Sequence, residues 1–586
     1  MFSKSKPESN PGLFSGIAQQ MKGKRLENLN DPSAWHNLFK VHITSRINEE
    51  LFSVLFNDSM GRPNSPVRLL IGMMILKEGH VWSDAHLFEE CQFNILVMNA
   101  LGLSNLNEEI PSPSTYYAFR KTLLEYQVEH GRDLVGECFE ALTRGQMELF
   151  GLRGRQLRMD SKLVGSNIVK CSRLRLILSC VEAFIKSLNV EQYDRISEKD
   201  REYLGNLFRK KVSQIIYHLN SEEKSELLLG LGELIGRLIG LYEECDSEKY
   251  RIIVRVFEEQ YSKEEESRKV EGNDKGEGND KIEGKIVLKP NEAIKADSLQ
   301  SPHDEDAEYR NKGGKKTQGF SVNLTETCSS APEGGEEGAK GDSGLNLITN
   351  VQVEGATYAD GSFLQPGIEK SEKIVGKVDD VFSDGAYYSP ANEDFGKEKG
   401  ITLYFTGFPG KKGRFGFVRS PRGLEVIDTK TGQTYLAQRV KARKNRKNQQ
   451  NRYKIQFEQE DGKKVLRYFD DQSVAAFFRR QEIEQLPQAL KNTRCNVEAS
   501  IFQLAFGLRK DKTRYRSKFK TQLWATNRCF WVNFRRIVTF MGKVCPDHPE
   551  FGKWVQNLVI FIRNVLLYGA RRLDGWKEKE NYTTTA

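Results

Sequence analysis

The sequence predicts an α+β chain of several domains: an all-α N-terminal domain, then a mixed α/β core interrupted by one helical and one β-rich insert. Three observations carry that expectation. Apolar residues recur at three- and four-residue spacing up to about residue 150, the period of an α-helix. A lone run of two-residue period, Leu157 to Leu163, then reads as a strand, and strong strand signals resume only from Gly319. The helical period returns over 171–262, and a stretch of aromatics broken by Gly and Lys turns fills 401–470. A chain of 586 residues has room for about three or four such units.

In order, residues 1–150 form the helical domain. A helix is expected through LFKVHITSRINEELFSVLF, and PVRLLIGMMILKEG, apolar on most faces, predicts a buried helix opening at Pro66. Ser83 and Asp84 are natural caps for the next helix, and Pro113 and Ser114 introduce another. Residues 151–170 hold the first core strand, where Leu157, Met159, Ser161 and Leu163 alternate with Arg158, Asp160 and Lys162. That alternation predicts a half-buried strand with Asp160 on its polar side. The helical insert, 171–262, gives way to a linker over 263–315 that contains EGNDK twice and few apolar residues, the mark of a disordered segment.

Residues 316–400 return to the core. Strands are expected at Gly319–Cys328 and Leu345–Gly355 around a Gly-rich loop, then a helix over Leu364–Val375 and the strand VDDVFSD. In the β-rich insert, 401–470, LEVIDTKTGQTYLAQRV and YKIQFEQEDGKKVLRYF each read as a hairpin, with turns at KTG and EDG. Helices fill 471–570, and 571–586 is a polar tail expected to be disordered.

Composition narrows the class. The hydrophobic fraction of 38% is low for a wholly packed chain, and the net charge of +9 matters less than where the charge lies. Nine scattered cysteines without zinc-ligand spacing fit free thiols in a reducing compartment. The N-terminus carries no apolar run of signal-peptide length, and the apolar run from Leu227 is broken by Glu233 and Arg237. A soluble cytoplasmic protein is the expectation.

Three acids stand out jointly. Asp160 lies within a strand, Asp384 at a strand end before Gly385, and Glu498 on a helix beside the stripe Val497, Ile501, Leu504 and Leu508. Singly, each reads as an ordinary strand, turn or helix acid. Brought together they would repel, unless a hard cation that prefers oxygen ligands joins them. Two such ions, about 3.5–4 Å apart, stabilise the attacking and leaving oxygens of an in-line phosphoryl transfer. Asp304, Asp306 and Asp360, and Glu482 and Glu484, read as structural acids by comparison.

Two basic tracts favour a DNA partner. Lys411 to Lys454 holds 14 Lys and Arg against two acids, including Lys441, Arg443, Lys444, Arg446 and Lys447. Gly507 to Arg536 holds ten against one, including Arg509, Lys510, Arg514 and Arg516, with aromatics between that are expected to be mostly core. Basic residues contact phosphates and release counterions, whereas a solvated face needs no such density.

Several stretches in order resemble the DDE transposases of bacterial insertion sequences. PVRLLIGMMILKEGHVWSDAHLFEECQFN with PSPSTYYAFRKTL is similar to the family's N-terminal domain, and LRMDSKLVGSNI to its first catalytic strand. DEDAEYRNKGGKKTQGFSVNLTETC and LNLITNVQVEGATYADGSFLQPGIE resemble the central strands, VDDVFSDGAYYSPAN the second Asp motif, and TRCNVEASIFQLAFGLRKDKTRYR with Asn527 the Glu helix. The resemblance implies a ribonuclease H-like, integrase-like core with Asp160, Asp384 and Glu498 as catalytic ligands of two Mg²⁺ ions, for which Mn²⁺ substitutes. It implies that Arg494 contacts phosphate and that the N-terminal helices recognise terminal inverted repeats. The activity implied is strand cleavage at element ends and strand transfer into target DNA, in an assembly of at least two copies, in the cytoplasm at the nucleoid. Three departures stand beside it: Lys491 where the family signature has Tyr, Ala505 where many relatives have Lys, and no cysteine-rich element between Asp384 and Glu498. A nuclease of the same fold without strand transfer, or a DNA-binding copy without activity, remain the alternatives.

Overall fold

The computed structural model describes Phe2, Lys4 and residues 16–57, 63–106, 108–217, 219–264, 285–328, 344–408, 410, 412–440, 452–458 and 463–544. The basic run with Lys441, Arg443, Lys444, Arg446 and Lys447, the Gly-rich loop 329–343, the EDG turn and the expected helix and tail beyond 544 lie outside the described residues.

A central sheet organises the rest. Its strands are β1 (Gln156–Gly165), β2 (Glu308–Lys312), β3 (Lys315–Thr327), β4 (Ile348–Gly355), β5 (Asp380–Ser383) and β6 (Thr402–Phe405). β3 runs antiparallel between β1 on one side and β4 on the other, while β5 and β6 continue the sheet parallel to β1. β2 pairs with the start of β3 as a hairpin.

β1 is half-buried as expected over Asp160 to Leu163, but its first part is buried on both faces. Leu157 and Met159 enter a core with Leu364 and Ile368 of the helix Leu364–Val375 and with Val381 and Phe405. The opposite face meets the helix Val497–Ala505, and Arg158 is buried there in an ion pair with Glu326. At Arg158 the polar side of the alternation is thus a neutralised buried position rather than a solvated one.

The N-terminal helices do not stand apart. Leu69, Met73 and Ile75 of the helix Val67–His80 share one core with Val322, Leu324 and Val351 of the sheet and with Phe530 and Phe534 of the helix Lys518–Val544. Full burial of each such side chain contributes about 1.5–3 kcal/mol, so separating them would cost far more than a transient domain contact. At the crossing of the two helices, a Cβ on Gly79 would lie 2.3 Å from the Trp531 indole; only glycine allows this approach. The expected helix through residues 38–56 divides into Trp35–His42 and two 3-10 turns. Ser83 caps the helix Asp84–Phe93 as expected, and the next helix, Pro113–His130, opens at Pro113 as expected, with Ser112 as its cap.

The helical insert, Arg173 to Gln260, carries its own core. Of the linker expected over 263–315, residues 265–284 with both EGNDK copies lie outside the described residues, and the flanks are structured. Lys285–Leu288 pairs with Tyr261–Glu264, and Leu299 packs into the insert's core. In the β-rich insert, two three-stranded sheets close around Phe417, Val426, Ile455 and Phe457. The first expected hairpin splits between them, because Thr434–Leu436 pairs back on Gly423–Asp428 while Gln438–Val440 joins the second sheet. Among the described residues no helix is long and apolar enough to cross a membrane, and none of the eight described cysteines is in a disulfide.

Candidate active site

The alternation that sends Leu157 and Met159 into one core sends Arg158, Asp160 and Lys162 to the other face. Asp384 follows β5 directly. Continuing the parallel pairing Arg158↔Phe382 by two residues brings Asp384 level with Asp160. Asp384 caps a 3-10 turn, its Oδ1 accepting from the Gly385 amide at 2.7 Å. That turn packs hard against the loop after β6: a Cβ on Gly385 would lie 2.4 Å from the Gly407 carbonyl carbon.

The third acid, Glu498, arrives with an arginine four residues before it, and that arginine reaches Asp160 across 334 residues. Arg494 donates to Asp160 Oδ2 at 2.8 Å and to Glu498 Oε1 at 3.1 Å, the latter one helical turn on. Asp160 is also oriented by the Ser161 amide, at 2.8 Å. Burial raises the Asp160 carboxyl above its ordinary value; Arg494 opposes this most, and the neighbouring Asp384 adds to the rise. Burial works against the Arg494 charge, but Asp160, Asp384 and Glu498 together outweigh it. One guanidinium thus answers three acids.

Sequence reasoning missed the residues that hold this group in place. Glu326 on β3 faces Arg158 directly and is fully buried. It accepts from Arg158 at 2.6 Å, from Ser500 at 2.6 Å and from Arg536 at 2.7 Å. Ser500 lies two residues beyond Glu498, so Glu326 fastens the glutamate's helix to the sheet. The signal available was the acid in the apolar run GFSVNLTETC, which reads as a strand residue until its partners are known. Asp360 lies beside the site, accepting from Ser161 at 2.9 Å and pairing with Arg310 and Lys312. The buried Tyr387 hydroxyl, near Asp160, Asp360 and Asp384, is held protonated by its burial and by those acids.

The other sequence candidates separate clearly. Asp304 is buried and accepts from Ser166, and Asp306 caps the start of the helix Lys518–Val544 through the Lys518 amide. Glu482 and Glu484 pair with Arg479 and Lys412 on the surface. Arg514 donates to the carbonyls of Val81 and Trp82, and Arg516 to that of Asn167, so both brace the chain. Arg509 and Lys510 are exposed. The aromatics Trp524, Phe530, Trp531 and Phe534 are core.

The donors are hard carboxylate oxygens, the chemistry a divalent magnesium-type cation requires. As they stand, among the described residues no three His, Cys, Asp or Glu side chains gather closely enough to hold one. Arg494 bridges Asp160 and Glu498 instead. Asp384 Oδ2 makes no hydrogen bond within the described residues, and the three acids carry more negative charge than Arg494 cancels. The donor chemistry fits a cation, with both Asp160 oxygens engaged by the Ser161 amide and Arg494 as they stand.

No curated protein and no solved structure matches the chain. Residues 25–122, the N-terminal helices that share the sheet's core, match the family model described as Transposase domain (DUF772), and this match supports a transposase family.

Proposed function

We propose that the chain is a DNA transposase of the DDE type, built on a ribonuclease H-like core, that cleaves strands at element ends and joins them to target DNA. The observation that carries the reading is the convergence of Asp160, Asp384 and Glu498 around Arg494 from three distant elements. The strand order supports it: one antiparallel strand lies between β4 and β1, and two parallel strands follow beyond β1. A divalent ion, Mg²⁺ or Mn²⁺, when bound would polarise a phosphoryl oxygen and make a water or 3′-OH a better nucleophile. Asp160, Asp384 and Glu498 would hold it. The Ser161 and Gly385 amides keep the two aspartates aimed, and Ser500 on Glu326 keeps Glu498 at the sheet. Arg494 neutralises the acids before substrate arrives; its planar fork would then turn to the phosphate. Terminal inverted repeats and target DNA are the partners, with at least two copies in the synaptic complex, and the location is the bacterial cytoplasm at the nucleoid.

The test is incubation of the purified chain with DNA from the flanks of its gene and Mg²⁺ or Mn²⁺. Joined product is the expected outcome. Cut ends without joining would make it a nuclease, and bound but intact DNA would make it a binding protein only.

A further inference from the structure

The hairpin of β2 and β3 does more than connect the helical insert to the sheet. It turns through Gly313 and Gly314, whose φ of 59° and 82° give the left-handed turn that matches strand twist. The tip, Lys312 to Lys316, is exposed throughout. Its base is anchored. Glu308 accepts from the Thr357 amide at 2.8 Å, and Arg310 donates to the carbonyls of Ala356 and Tyr358, each at 3.2 Å. Lys312 pairs at 3.6 Å with Asp360, which Ser161 of β1 holds in turn. The tip therefore has a defined place beside the acids.

A second element meets it. Asp511, in the loop after the glutamate's helix, pairs with Lys315 of the tip and, at 2.9 Å, with Lys162 of β1. Lys510 and Asp511 both have φ of 53°, a left-handed conformation that non-glycine residues adopt at a cost. That strained turn presents Arg509 and Lys510 to solvent beside the tip. Hairpin, β1 and turn thus meet at a single acid, and the cations around it outnumber it.

We propose that this collar is a clamp for the DNA backbone, in which Lys312, Lys315 and Lys316 on the hairpin and Arg509 and Lys510 on the turn grip phosphates flanking Asp160 and Asp384. The inference rests on the transposase reading and adds to it a surface that the N-terminal helices do not contribute. Most of the cations are lysines, which act as point charges on phosphate rather than as readers of bases, so the clamp is indifferent to sequence.

The experiment compares full-length protein with the triple variant Lys312→Gln/Lys315→Gln/Lys316→Gln and with the charge-matched control Lys199→Gln/Lys210→Gln/Lys211→Gln in the helical insert. Fluorescence anisotropy reads binding of a mixed-sequence duplex in EDTA over a salt series, and a thermal melt checks each fold. The clamp variant should bind about tenfold or more weakly, and its log–log salt slope should shrink by about 0.9 for each phosphate it no longer neutralises. The control should keep both. An unmoved slope, or a weakening no larger than the control's, overturns the clamp and leaves the transposase reading standing. A wild-type chain that binds no duplex overturns both.

Discussion

Two carboxylate clusters lie on the same face of the central sheet and are neutralised in opposite ways. Fully buried Glu326 is served by two guanidiniums, Arg158 and Arg536, and by the Ser500 hydroxyl. Asp160, Asp384 and Glu498 share the single guanidinium of Arg494. Burial alone would push Glu326 up, yet Arg536 and Arg158 outweigh it and hold the carboxyl below its ordinary value. At Asp160 burial wins, and the carboxyl is raised. The satisfied cluster holds elements together; the under-neutralised one keeps negative charge available for an incoming cation.

Substitutions should separate the two. Asp160→Asn should slow cleavage and joining roughly a thousandfold, a barrier higher by about 4 kcal/mol, while the melting temperature holds or rises because a strained charge is gone. Glu326→Gln should do the reverse. It leaves Arg158 and Arg536 buried without a counter-charge and should lose about 3–5 kcal/mol in denaturant unfolding, with activity falling through loss of fold. If Asp160→Asn unfolded the protein, or Glu326→Gln left stability intact, the distinction would collapse. Gly79→Ala probes whether the N-terminal helices belong to the same folding unit. Forcing a methyl against Trp531 should cost about 1–3 kcal/mol and shift a single unfolding transition, whereas two transitions would show the helices to be separate.

The smallest effect concerns pH. Burial lowers His42 to about 4 and His80 to about 3, with Arg46 adding to the first and Arg535 to the second. Both bind protons more readily unfolded, near 6.5, than folded, so stability falls as pH drops below about 6.5 and keeps falling toward those folded values. The loss is on the order of 1 kcal/mol per histidine near pH 6. Glu326 behaves as a depressed acid: its contribution is complete above the ordinary glutamate range and fades only as pH falls through its lowered folded value. Unfolding titrations of His42→Asn and His80→Asn should remove the upper part of the slope and leave the lower.

Much was legible in the chain itself because it is decided within a few residues. The buried helix after Pro66, the Ser83 cap, the Leu364–Val375 helix and the hairpin through residues 453–469 follow from spacing, capping and turn chemistry. The candidate acids were readable in the same way, each by its element. What spacing could not supply was the company each residue keeps. Asp360 and Lys312 looked incidental because Asp360, which pairs with Lys312, is held by Ser161 of a distant strand.

The sequence by itself determined the order of helices and strands, the residue types of the acid group and where positive charge is concentrated, since local backbone preference and side-chain chemistry suffice for these. Tertiary structure alone decided that Arg158 on the polar side of β1 is buried against Glu326, that the N-terminal helices share the sheet's core, and that Arg494 reaches Asp160. Charge balance is a sum over neighbours, and those neighbours come from 168 residues away at Glu326 and 334 at Asp160. Only the packed chain fixes which cluster is satisfied and which is left short of positive charge.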